Sequence, residues 1–142
     1  MSQSSAFQEC AAKVRKHDYE GYLCTVALPP SLRPAAFAAR AFNVETAQLV
    51  DRTKEKPLAV MQLQWWAAAV EQVFEGATPQ HPVGAALAVA YRDKPGARKW
   101  FDRLLVSRES DVRMAGAPPS LEALEQYAQG TSGALMRIIL EG

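Results

Sequence analysis

Arg40, Asn43 and Ala47 recur at three- and four-residue spacing within LPPSLRPAAFAARAFNVETAQLVD, residues 28–51, so a helix brings all three to one face. Phe37, Ala41 and Val44 share that face, and a plain core stripe would rarely carry an Arg–Asn pair along its edge. Carboxylates at positions 43 and 47 could hold Mg²⁺, a hard cation that takes oxygen ligands and bridges to substrate phosphates. Asn43 offers only a neutral carbonyl oxygen, and Ala47 offers nothing. Glu45 lies about 200° around the helix from Asn43, too far to substitute. On residue type alone this face offers a metal no carboxylate pair.

Other residues with chemical potential carry less. Cys10, His17 and Cys24 are three evenly spread ligands, whereas structural zinc sites use tighter pairs and a fourth ligand. They read as two buried thiols and a surface histidine. His81 falls in the loop ATPQHP, residues 77–82, where an exposed position without a nearby acidic residue gives a general base little support. No GxxxxGK[ST], HExxH or GxSxG motif occurs, and two histidines without motif context make a poor catalytic triad.

The words VRKHDYEGYLC, FAARAFNVETAQ and QLQWW resemble the squalene and phytoene synthase family of head-to-head prenyltransferases, and within it a non-catalytic mitochondrial branch. In the enzymes an aspartate-rich segment follows a helical arginine. Here Arg40 keeps its place, while Asn43 stands at the first aspartate and Thr46, Ala47 and Gln48 at the later acidic positions. The resemblance therefore implies vestigial diphosphate and metal positions at Arg33, Arg40, Asn43 and Ala47. It implies a vestigial prenyl pocket at Tyr127, Gly130 and Gly133, narrowed by Met136. Close approach of two helices is the competing explanation for the two glycines. The resemblance spans the whole chain but only about the first half of the family domain.

A chain of 142 residues, about half apolar and with a formal charge of +1, suits one globular domain and gives no basic run for nucleic acid. No apolar stretch reaches the length of a membrane span, and the opening MSQSSAFQEC has no arginine, unlike a transit peptide. Hydrophobic spacing predicts an all-α chain of about seven helices. These are a first helix from Ala6 to Lys16 capped by Ser4 or Ser5, a second over 19–28, and the long third helix capped by Ser31. A charged hinge at 51–57 leads to an apolar helix ending at Gly76, followed by short helices over 83–91 and 97–109, the latter with Arg108 on its outer side. An irregular connection over 113–119 precedes a final helix over 121–140 opened by Ser120. Trp65 and Trp66 point about 100° apart, so one reaches the core and the other flanks it.

The expected architecture is the N-terminal half of an isoprenoid (terpenoid) synthase-like bundle, a single domain over 1–142, with truncation relative to the family left open. The resemblance implies a protein without catalysis or cofactor that acts through protein partners in respiratory complex I biogenesis, on the matrix side of the mitochondrial inner membrane. It allows peripheral membrane association. The alternatives are a Mg²⁺-dependent prenyltransferase and a prenyl-lipid-binding module.

Overall fold

Alanines decide how the helices meet. The computed structural model describes residues 2–52, 55–113 and 120–142. Among them the chain is all helical: α1 (Gln3–His17), α2 (Tyr19–Val26), α3 (Arg33–Arg52), α4 (Lys56–Phe74), α5 (Pro82–Tyr91) and α6 (Arg98–Arg113). Then come α7 (Leu121–Ala128) and α8 (Ala134–Glu141), joined by a π-helical turn (Gln129–Gly133) into one continuous rod. Counting that rod once gives the expected seven helices. Helix α3 runs through the centre, and Ala36, Ala38, Ala39 and Ala41 are buried around most of its circumference. With only a methyl group to accommodate, α1, α5, α6 and α8 all pack against it.

Phe42 anchors this arrangement. It is completely buried and meets Trp66 of α4 edge-on at 5.6 Å and Phe101 of α6 edge-on at 5.1 Å. Burying such a ring contributes about 2–3 kcal/mol, and edge-to-face pairs add about 0.5–1.5 kcal/mol each. Trp66 enters the core while Trp65 stays 45% exposed, as their angular offset requires. Tyr91 of α5, also fully buried, sets its hydroxyl 3.3 Å from the carbonyl of Ala35 and 3.1 Å from that of Ile138. One side chain thereby ties α5 to α3 and α8, and burial pushes its phenol pKa up.

Several boundaries differ from the sequence reading. The first helix begins at Gln3 because Ser2, not Ser4 or Ser5, accepts the N–H of Ser5. The second helix stops at Val26. Ser31 does not cap α3: it sits inside a 3₁₀ turn (Pro30–Leu32) that leads directly into α3, with Pro34 in the first helical turn. Cys10 is buried, with burial pushing its thiol pKa up to about 12, but Cys24 is exposed. Ser120 caps α7 by accepting the N–H of Ala123. Residues 53–54 of the charged hinge and 114–119 of the irregular connection lie outside the described residues.

His81 is not an exposed loop residue. It is half-buried, and its ring stands edge-on to Trp66 at 4.9 Å and tilted against Trp65 at 5.9 Å. Its Nδ1 accepts the N–H of Val83 at 3.1 Å, making it the N-cap of α5. An accepting nitrogen must be unprotonated, and the positive end of the α5 dipole disfavours an imidazolium there. Burial is the main cause that lowers its pKa below the usual 6.5. With the folded-state pKa depressed, the neutral cap contributes fully above the unfolded value and is lost as pH falls towards the folded one. Melting temperature should therefore drop as pH falls below about 6.5. His81→Asn, which keeps an uncharged N-cap, should flatten that drop when thermal melts of the two proteins are compared across pH.

Candidate functional site

The site grows from the hydrogen-bonding needs of two helix ends. Asp18 separates α1 from α2 and caps α2, its Oδ1 accepting the N–H of Gly21 at 3.1 Å. Its other oxygen, Oδ2, lies 3.6 Å from Nη1 of Arg40 on α3. A Cβ at position 21 would fall 2.1 Å from that oxygen and 2.8 Å from the guanidinium, so glycine is what allows cap and ion pair to coexist. This pair forms one wall of a cleft of about 510 Å³. Asn43, Ala47 and Asp51 continue down the same wall on α3, and Ser132 and Met136 of the final rod face them.

The cleft has a guanidinium behind its wall. Arg108 of α6 is only 7% exposed, where the sequence reading had placed it outside. Its Nη2 donates to Oδ1 of Asn43 at 2.7 Å, and its Nη1 lies 3.4 Å from the hydroxyl of Tyr127. That hydroxyl in turn donates to Oδ2 of Asp111 at 3.5 Å. No ion pair among the described residues includes Arg108, and its Nε, like that of Arg40, is buried without a hydrogen-bond partner. The signal was present in the sequence. Phe101, Leu104, Leu105, Arg108 and Val112 follow one helical stripe, and Arg108 occupies its middle.

Mg²⁺ does not fit these residues. Asp18 is engaged by Arg40, the carbonyl oxygen of Asn43 accepts from Arg108 and Ala47 has no donor atom, which leaves Asp51 a lone carboxylate in the lining. A divalent ion bound at Asn43 would also sit beside the Arg108 cation. Among the described residues no cluster of three or more His, Cys, Asp or Glu side chains could hold a metal.

The profile of the squalene/phytoene synthase family matches residues 14–142. The chain belongs to that family. Three named relatives are similar to it: "NADH dehydrogenase (ubiquinone) complex I, assembly factor 6" of Bos taurus, 37% identical over 132 residues, its Homo sapiens counterpart at 36% over 132, and a Drosophila melanogaster homolog at 34% over 140. These alignments cover 93% of this chain and 39% of each mammalian relative, and 94% and 41% for the fly protein. The chain thus spans about two fifths of the length of the relatives it matches. No solved structure gives a significant match.

Of the positions that the family resemblance marks, the structure gathers Arg40, Asn43 and Ala47 at the cleft. Arg33 stands apart from them and donates its Nε–H to the carbonyl of Leu28 at 2.8 Å, fastening the turn before α3. Tyr127 reaches Asn43 through Arg108. The two glycines differ. A Cβ at Gly130 would fall 1.9 Å from Oγ and 3.1 Å from Cβ of Ser107, so this residue sets how closely the final rod approaches α6. At Gly133 the nearest atom would be 3.6 Å away, an ordinary contact, and the backbone there is helical.

The contrast is measurable by urea denaturation. Gly130→Ala should cost about 1–3 kcal/mol through overpacking against Ser107. Gly133→Ala should gain about 0.5–1 kcal/mol, because alanine loses less backbone entropy than glycine in a helix.

Proposed function

We propose that this squalene/phytoene synthase family member is non-catalytic and acts in the assembly of mitochondrial respiratory complex I through protein contacts. One observation carries the reading. The helix face that would need carboxylates for metal-assisted diphosphate chemistry offers Asn43 and Ala47, and the oxygen of Asn43 accepts from the Arg108 guanidinium. The printed names of the similar proteins support it, each being a complex I assembly factor or its homolog. On this reading the protein needs no cofactor and works on the matrix side of the inner membrane. Among the described residues no helix is long and apolar enough to cross a membrane, which is consistent with peripheral attachment or with none.

The enzyme alternative, joining two prenyl diphosphates with Mg²⁺, would need metal ligands other than those at this cleft. Disrupting the gene in the organism that carries it should reduce assembled complex I on native gels, and re-expression should restore it. Calorimetric titration of the protein with a non-hydrolysable farnesyl diphosphate analogue should show no Mg²⁺-dependent binding. Magnesium-dependent binding in the micromolar range, or normal complex I after disruption, would overturn the reading.

A further inference from the structure

We infer that Arg108, buried behind the cleft wall and bonded to Asn43, is a built-in positive charge that closes position 43 to Mg²⁺. The missing carboxylates are then one half of an exchange, in which a metal held by acidic groups has given way to a built-in positive charge held by neutral ones. The inference concerns the chemistry of the cleft and stands whether or not the protein serves complex I.

Three features of the geometry carry it. The 2.7 Å contact from Arg108 occupies one lone pair of the only oxygen Asn43 could give a metal, and puts a cation directly beside the other. Arg108 is more than nine-tenths buried, and a guanidinium is a permanent charge. Among the described residues its hydrogen-bond partners, Asn43 and Tyr127, are neutral, and Asp111, three residues further along α6, accepts from the same tyrosine hydroxyl. A buried cation with neutral partners repels a second cation across a short distance that little water can screen. Arg40, three residues before Asn43 on the same helix, lines the cleft with its charge shared with Asp18.

The exchange has an unusual consequence. Restoring the acidic residue should not restore a metal site. In Asn43→Asp the new carboxylate would face Arg108 at the distance the amide oxygen now holds, forming a charge-assisted pair, and it would be neutralised before any metal arrived.

The test combines thermal melting with Mn²⁺ binding followed by electron paramagnetic resonance, on the native chain, Asn43→Asp, Asn43→Asp/Ala47→Asp, and each in an Arg108→Met background. Asn43→Asp should melt about 3 °C or more above the native chain without added metal, and Arg108→Met should abolish that gain. Neither the native chain nor Asn43→Asp should bind Mn²⁺ at millimolar concentration, and Mg²⁺ should leave their melting unchanged. Stoichiometric Mn²⁺ binding by the native chain would overturn the inference, and that arm needs no variant to fold. So would a gain in Asn43→Asp that appears only with Mg²⁺ or persists without Arg108.

Discussion

The close packing of α3 is the constraint on which the other helices depend. A helix buried on nearly every side must be thin, and the alanines at 36, 38, 39 and 41 make it so. Phe42, completely buried at the end of that stretch, then fixes the distances to α4 and α6 through two edge-on ring contacts. Enlarging any of these alanines would push apart helices that also carry the polar groups of the cleft. In a core packed as densely as a crystal, that strain has nowhere to dissipate.

The cleft inherits its geometry from that packing. Asn43 directly follows Phe42, so the contacts that seat the phenylalanine against Phe101 also bring Asn43 within reach of Arg108 seven residues further along α6. Arg40, one turn earlier, is held by Asp18, which is itself fixed as the cap of α2. Core packing and polar network are therefore two sides of the same pair of helices. That framework orders a guanidinium network around the neutral amide of Asn43.

Much of this was legible in the sequence. The all-helical class, the three-residue spacing of Arg40 and Asn43, the divergence of Trp65 and Trp66 and the cap at Ser120 follow from periodicity and local hydrogen bonding, which act over a few residues. The errors have equally definite causes. His81 stood among turn residues and read as exposed, because nothing local announces that two tryptophans sixteen and fifteen residues earlier will cover its ring. Arg108 read as an outer residue because its charge outweighed its place on an apolar stripe, although Phe101, Leu104, Leu105 and Val112 flank it at helical spacing. Gly130 and Gly133 look alike in sequence, and only the approach of Ser107 separates them.

The sequence alone determined the helices, the family and the absence of carboxylates at positions 43 and 47, since each is a matter of residue type and short-range spacing. Tertiary structure decided what took the place of those carboxylates. Asn43 and Arg108 are 65 residues apart, and no local rule couples two positions at that separation. Their contact exists because α3 and α6 close on a shared aromatic core, and burial there makes a surface-seeming arginine a fixed charge behind the cleft wall.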